Sequence, residues 1–302
     1  MKLIIDYIIT GVFLIIGKIA QNLSLTGRAK LGILIGDILR LLDKSRAKIT
    51  FNNISTSLTE KTHNEVLYIM KKSYHNLGIT LVEMLVLPTL DNNELHKYIK
   101  FKNIELINQV FARNKGLIFL SGHFGNWELT AYTAGYFSEL PITIVVKPQS
   151  NKILDKILNK YRTMGGNRIV PMANAARTIF DAIRKKEVIA LIVDQSADWE
   201  KDIFIDFFGR PAATYEAPAK LSYKFDVPIL IGFAVRQPDF TYFVDIIELD
   251  RSGLDRSDNP VEELTKRHVK ILEDAIRKNP ELWAWQHKRW KHTPPEKLVE
   301  KN

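Results

Sequence analysis

The segment 120–128, with the sequence LSGHFGNWE, contains the residues best suited to acid–base chemistry. His123 follows a short apolar run, and Glu128 lies five positions later. An imidazole can accept a proton from a hydroxyl group near neutral pH, and a neighbouring carboxylate fixes its tautomer and increases its basicity. A helix beginning near Asn126, a favourable capping residue, would let Glu128 face back towards His123. We therefore predict a general-base pair; the alternative interpretation is a core histidine beside a solvated surface carboxylate.

Other catalytic chemistries lack the residues that they require. The chain has no cysteine, which excludes disulfides, thiolate metal sites and cysteine nucleophiles. Ser121 is not in the glycine-flanked elbow that activates a hydrolase serine. His123 and Glu128 lack the spacing of a zinc protease motif, and the Gly165–Gly166 pair is not a dinucleotide-binding motif. We therefore predict no metal site and no resident cofactor.

A change of hydrophobic period near residue 116 divides the chain into a helical part and a sheet-forming part. Apolar residues recur at helical spacing over 31–100, whereas short apolar runs typical of buried strands alternate with helical patterns from residue 116 onwards. The predicted strands are 116–122, 142–147, 168–172, 188–194, 228–236 and 241–249, and the predicted helices that follow them are 127–138, 151–164, 174–184, 214–225, 260–278 and a short one around Trp283. This alternation predicts an α/β fold with a mostly parallel central sheet flanked by helices.

An apolar segment occupies the N-terminus. Residues 7–17, YIITGVFLIIG, carry no charge. Basic residues flank them: Lys2, Lys18, Arg28 and Lys30. Because the uncharged run is shorter than the roughly 20 residues that cross a bilayer, we predict a helix lying in a membrane surface, with its cations on phosphate headgroups. A tilted span over 3–25 and a buried first helix are the alternatives.

The overall charge narrows the class of partner. The 302 residues include 43 Lys and Arg against 34 Asp and Glu, a formal net charge of +9. Hydrophobic residues make up 46%, which excludes a disordered chain, and long apolar runs are too few for a polytopic membrane protein. A basic surface suits nucleic acid, anionic lipid or an acidic carrier protein, or it has no binding role. Since no nucleic-acid-reading motif is present, we predict no nucleic-acid partner.

The segment 121–128 resembles the His-x4-Asp/Glu motif of glycerolipid acyltransferases, and most closely that of the lipid A biosynthesis lauroyl/myristoyl acyltransferases. Further segments are similar to that family in the same order along the chain. They are 151–166 with Arg162, Val193-Asp194-Gln195, 207–214 (FFGRPAAT) and 283–291 (WAWQHKRWK). The resemblance therefore covers about residues 120–292. It implies a glycerolipid-acyltransferase-like fold with a membrane-associating helix at 1–30 and one acyltransferase domain at 31–302, comprising a helical lead-in (31–110), a sheet core (116–250) and C-terminal helices (260–292).

The same resemblance implies a reaction and the residues that perform it. His123, oriented by Glu128, would deprotonate a hydroxyl of a lipid A precursor, which attacks the thioester of acyl carrier protein or acyl-CoA. These thioesters are co-substrates, and the implied partners are the carrier protein, the membrane glycolipid and the membrane surface, with the site facing the cytoplasm at the inner membrane. Candidate residues for substrate binding or oxyanion stabilisation are Asn126, Arg162, Asp194, Gln195, Arg210 and Thr214, and those for the acyl groove are Phe124 and Trp127.

Alternatives stay open for individual residues and for the function. Thr214 is also suited to capping the helix that follows it, and Glu83, in an apolar stretch, either pairs with a buried cation or is exposed. The acceptor could be another glycolipid or an aminolipid, for example of the phosphatidylinositol-mannoside type. A non-catalytic lipid-binding envelope protein would keep the groove and the basic surface without transferring an acyl group.

Overall fold

The computed structural model describes residues 2–294, which form an α/β fold preceded by long helices. The helices are α1 (Lys2–Gln21), α2 (Leu25–Leu42), α3 (Lys44–Ser57), α4 (His63–Val86), α5 (Asn92–Tyr98), α6 (Glu105–Phe111), α7 (Trp127–Ser138), α8 (Lys152–Thr163), α9 (Ala175–Arg184), α10 (Ala217–Phe225) and α11 (Pro260–Lys278). The strands are β1 (Ile99–Phe101), β2 (Leu117–Ser121), β3 (Ile142–Val146), β4 (Arg168–Pro171), β5 (Val188–Ile192), β6 (Ile203–Asp206), β7 (Pro211–Thr214), β8 (Ile229–Arg236) and β9 (Tyr242–Glu248).

Seven strands form one sheet in the order β1-β9-β8-β2-β5-β3-β4. All neighbouring strands are parallel except β8 and β9, which are antiparallel. The central strand β2, Leu-Ile-Phe-Leu-Ser, is buried at four of its five positions because helices cover both faces of the sheet. The mostly parallel sheet predicted from the alternating pattern is therefore confirmed.

Two short elements differ from the sequence prediction. Strand β1 has three residues and lies inside the region predicted to be helical, where it pairs with β9. Strands β6 and β7 form a separate antiparallel hairpin. Neither element is long enough to show a distinctive hydrophobic period, and each is defined by hydrogen bonds to a distant or following segment. The helix predicted around Trp283 is instead a single turn of 3₁₀-helix at Pro280–Leu282, followed by non-helical chain.

The first two helices pack mainly on α4. Gly32 and Gly36 of α2 lie so close to α4 that a Cβ atom at either position would overlap the α4 backbone. Helix α1 exposes most of its apolar side chains, and within residues 2–294 it is the one helix long and apolar enough to cross a membrane. The predicted boundary at residue 30 falls inside α2, and the division into domains otherwise stays a prediction.

The segment after α11 returns to the centre of the molecule. Trp283 and Trp285 are buried in an aromatic cluster with Phe207, and Trp283 forms an isolated antiparallel bridge with Phe124. The amide of Ala284 donates to the carbonyl of His123, at 2.9 Å. The C-terminal segment therefore pairs with the segment that follows β2.

Candidate active site

The pairing register of two central strands brings His123 and Asp194 together. Strands β2 and β5 are parallel neighbours, with Ser121 opposite Ile192. His123 and Asp194 each lie two residues beyond that last pair, at the carboxyl edge where parallel α/β sheets place their ligand sites. The His123 Nδ1 and Asp194 Oδ1 atoms are 2.7 Å apart.

Asp194 is held by two further hydrogen bonds. Its Oδ2 atom accepts from the backbone amide of His123 and from the indole N–H of Trp283, both at 2.8 Å. Burial would raise the pKa of Asp194, but the charge of His123 and these hydrogen bonds outweigh burial and lower the pKa to about 2. Asp194 is therefore a carboxylate at any ordinary pH.

The same contact makes His123 more basic. Burial works to lower the pKa of the imidazole, but the charge of Asp194 and its hydrogen bond, with a smaller contribution from the charge of Glu128, raise the pKa above 6.5. The carboxylate requires the proton on Nδ1, so the neutral ring presents an unprotonated Nε2. The side chain is 25% exposed, against 2% for Asp194. His123 thus has the tautomer and the access that a general base needs.

The prediction that Glu128 orients the imidazole is wrong in this structure. Glu128, in the first turn of α7, accepts two hydrogen bonds from Arg162 of α8, at 2.6 and 2.9 Å. Both side chains are largely buried, at 13% and 14% exposure. Arg162 is therefore not a solvated charge, and Glu128 influences His123 through its charge, since its oxygens are engaged by the guanidinium.

The loop between β2 and α7 is held from two sides. Gly125 has a positive φ of 58°, and a Cβ atom there would lie 1.6 Å from the carbonyl oxygen of Ala234, so only glycine fits. The Gly125 carbonyl accepts from the Asn76 and Thr80 side chains of α4, and its amide donates to the carbonyl of Leu282. These contacts fix the chain between His123 and the start of α7.

Asn126 begins α7 and is itself positioned by a buried carboxylate. Its Oδ1 atom caps the amide of Leu129, and its Nδ2 atom donates to Glu83 at 2.8 Å. Glu83 is 1% exposed, accepts from the Tyr242 hydroxyl at 2.5 Å and lies 3.8 Å from Arg236. Glu83 is therefore buried beside a cation, Arg236, and is not exposed to solvent. Asn126 acts as a cap, and its amide points towards Glu83.

Gln195 also lies beside His123, the candidate general base. Its side-chain nitrogen is 3.3 Å from His123 Nε2, the ring nitrogen that Asp194 leaves unoccupied. Of the six residues predicted for substrate binding or oxyanion stabilisation, Asp194 and Gln195 thus contact His123 directly, while Asn126 and Arg162 lie on the helices beside the site.

Arg210 and Thr214 belong to a different part of the fold. Arg210 stacks over Trp290 and donates to Ser57, at 2.7 Å. Thr214 is fully buried at the end of β7, where it accepts from Arg289 at 2.6 Å. The idea that Thr214 caps the following helix is wrong, because α10 begins three residues later and its N-cap position is Glu216. Within residues 2–294, neither side chain hydrogen-bonds to His123 or Asp194.

Of the two residues predicted to line an acyl groove, one is partly exposed beside His123 and the other is buried. Trp127 is partly exposed, and its ring centroid is 5.1 Å from that of His123. Phe124 is 0% exposed and packs against Phe233, so its side chain is not available to a ligand in this structure. A narrow apolar crevice does lie beside Glu128 and Arg162, lined by Met84, Leu87, Ala131, Tyr132, Ile144 and Tyr161.

The sequence does not show what Asp194 and Trp283 contact in the folded protein. Asp194 is predicted at the carboxyl edge of a strand, but nothing in the sequence identifies that strand as the neighbour of β2. Trp283 enters the sequence analysis only through the short helix predicted around it and the 283–291 segment, and its indole N–H has a polar role that composition does not reveal. The proximity of Asp194 to a strand end is the one signal that could have found the pair.

Comparisons with known proteins agree on one family. The family model described as bacterial lipid A biosynthesis acyltransferase matches residues 2–292. The chain is 23% identical over 265 residues to the lipid A biosynthesis palmitoleoyltransferase of Escherichia coli, covering 87% of this chain and 85% of that protein. It is 22% identical to the lauroyltransferase of the same organism, covering 88% and 85%. A phosphatidylinositol mannoside acyltransferase of Mycobacterium tuberculosis is 20% identical over 168 residues, covering 54% of this chain and 52% of that protein.

Proposed function

The chain belongs to the bacterial lipid A biosynthesis acyltransferase family and is an O-acyltransferase, and we propose that it transfers a fatty acyl chain from acyl carrier protein, or from acyl-CoA, to a hydroxyl group of a lipid A precursor. The observation that supports this most directly is the 2.7 Å contact between His123 Nδ1 and Asp194 Oδ1. It leaves Nε2 of a basic imidazole as the proton acceptor at the carboxyl edge of the sheet.

The proposed reaction needs only one base, because His123 accepts one proton and later returns it. The acceptor O–H bond breaks as its proton moves to His123 Nε2, and the oxygen forms a bond to the thioester carbonyl carbon. The C–S bond of the resulting tetrahedral intermediate then breaks, and the thiolate takes the proton back from Nε2. Proton transfer of this kind contributes typically about 10²–10⁴-fold to a rate.

The developing oxyanion needs nearby donors or positive charge. Arg162 supports that role, because its guanidinium is held beside the site by Glu128. The first backbone amides of α7 support it as well, since the N-terminus of a helix favours negative charge. Asn126 contributes through the cap that positions those amides, because its own side-chain amide is engaged by Glu83.

The basic surface supports acidic partners. Lys152, Lys156 and Lys160 are exposed at four-residue spacing on α8, the helix that carries Arg162. Such a row favours contact with an acidic carrier protein or with the phosphates of a lipid A precursor. Under this proposal the helix α1 binds the inner membrane and the site faces the cytoplasm, where the acyl thioester is available.

The test is acyl transfer by the purified full-length protein in detergent. Incubation with an acylated, phosphorylated glucosamine disaccharide and an acyl carrier protein thioester should add the mass of one acyl group. His123→Ala should abolish that product, whereas His63→Ala, at an exposed histidine on α4, should not. Transfer by His123→Ala at the wild-type rate would refute the base, and transfer only to a phosphatidylinositol mannoside would replace the proposed acceptor.

A further inference from the structure

The contact between Gln195 and His123 has a defined direction. Asp194 can only accept a hydrogen bond, so the imidazole carries its proton on Nδ1 and a lone pair on Nε2. The Gln195 side-chain nitrogen, 3.3 Å from Nε2, has two hydrogens and no lone pair to offer. Gln195 therefore donates to the atom that must accept the substrate proton.

The backbone around Gln195 is fixed on both sides. The preceding residue, Asp194, is held by His123 and Trp283. Two residues later, the amide of Ala197 donates to the carbonyl of Ala213 in β7. Gln195 is thus presented to the imidazole by an anchored turn at the end of β5.

We propose that Gln195 is a positioning residue that caps Nε2 of His123 until the acceptor hydroxyl replaces it. This proposal rests on the proposed function, because that function identifies the group that displaces the Gln195 amide as an acceptor hydroxyl. A donor on the lone pair stabilises the neutral imidazole, keeps the correct tautomer before substrate arrives and competes with water for Nε2. The acceptor hydroxyl then donates to Nε2 in place of the amide, so one hydrogen bond is exchanged for another.

The pKa of His123 should report this cap. A hydrogen bond to the neutral form disfavours protonation, so its loss raises the pKa. The other charged or titratable groups that act on the imidazole are Asp194 after β5, Glu128 on α7 and His287 in the C-terminal segment. None of them hydrogen-bonds to the Gln195 side chain within residues 2–294, so a substitution at Gln195 leaves their contacts in place.

The experiment is an NMR titration of histidine-labelled, full-length protein in detergent, without substrate. The His123 resonance is assigned by its absence from His123→Gln. Gln195→Ala and Gln195→Met should each raise the pKa of His123 by about 0.5–1 unit, the size expected for one neutral hydrogen bond. Gln195→Glu should raise it further, because a carboxylate favours the imidazolium. Gln149→Ala, at an exposed glutamine before α8, is the matched control and should leave it unchanged.

The outcomes separate this inference from the proposed function. An unchanged pKa in Gln195→Ala and Gln195→Met would overturn the cap, and a lowered pKa would overturn it too, by showing that the amide oxygen accepts from the imidazolium instead. Because no substrate is present, a raised pKa supports the cap even if acyl transfer to a lipid A precursor fails. In the active enzyme, the acid limb of the kcat/KM profile should move to higher pH by the same amount.

Discussion

Trp283 donates its indole N–H to Asp194 Oδ2 at 2.8 Å, so a residue of the C-terminal segment contacts the carboxylate that orients His123. The two residues are 89 positions apart in the chain. Trp283 leaves Oδ1 of the same carboxylate to the imidazole. An aromatic residue in the buried core thus also fixes the orientation of the proposed base.

Replacing Trp283 with Phe should lower kcat about tenfold with little change in KM. The substitution keeps an aromatic ring but removes one hydrogen bond to a charged group, which corresponds to about 1.5 kcal/mol. Steady-state kinetics with an acyl thioester and a lipid acceptor would measure the change. Trp285→Phe is the matched control, because its indole donates to the Pro280 carbonyl at 2.7 Å and is as deeply buried. Equal losses of kcat in both variants would argue against a specific role for Trp283.

Glu128 should act through Arg162. Glu128→Gln removes one partner of a largely buried ion pair and should cost about 1–3 kcal/mol in the free energy of unfolding, as well as activity. Arg162→Met and the double variant should then have the same residual activity, because without Arg162 the side chain at position 128 has no guanidinium to hold. A further drop in the maximal activity of the double variant would restore the direct role on His123 that the sequence predicts. Chemical denaturation and kinetics on all three variants supply the measurement.

We expect the substitutions Glu83→Gln and Asn126→Asp to compensate for each other when they are combined in one variant. Glu83→Gln leaves the charge of Arg236 without its buried partner, and Asn126→Asp places two carboxylates face to face. Each single substitution should cost about 2–4 kcal/mol in the free energy of unfolding. In the double variant, the amide introduced at position 83 can donate to the carboxylate introduced at position 126, which still caps Leu129 and retains one negative charge near Arg236. Denaturant titrations and kinetics should show recovery of most of the stability and activity; additive losses would contradict the coupling.

The His123–Asp194 pair should give activity and stability opposite pH dependences. Catalysis needs the neutral imidazole, so kcat/KM should rise with pH through a pKa above 6.5. The ion pair needs the imidazolium. Its stabilisation is fully present below the unfolded pKa of His123 and is lost as pH rises through the raised folded pKa. Asp194 limits the acid side, because its contribution exists above its unfolded pKa of 3.8 and disappears as pH falls towards about 2.

Asp194→Asn tests both dependences with one substitution. The variant should lose about 10²–10⁴ in kcat, since the imidazole loses its orienting charge, and its acid limb should move to lower pH. The free energy of unfolding should fall most near pH ~4–6.5, where the wild-type pair is fully charged. A kcat/KM profile and denaturant titrations at several pH values measure these effects. An unaltered acid limb would remove Asp194 from the mechanism.

The local hydrophobic pattern was sufficient to predict most strands of the sheet and the strand ends at which the site lies. Six of the strands and five of the helices that follow residue 116 lie where the hydrophobic periods predict them, because each period reflects the burial of that segment alone. The prediction failed for β1 and for the β6–β7 hairpin, which are too short to carry a period. His123, Asp194 and Gln195 are all candidates from the sequence, since each follows a recognisable strand.

The sequence by itself determined which side chains reach the carboxyl edge of the sheet, but not which of them meet. His123 and Glu128 are five positions apart, yet the carboxylate on the imidazole comes from Asp194, 71 positions away, and Glu128 pairs with Arg162, 34 positions away. Those choices depend on strand order, on the register of β2 against β5 and on how closely α8 approaches α7. Hydrogen bonds form only within about 3 Å, so the tertiary structure, which sets distances between remote segments, decides the chemistry that local spacing leaves open.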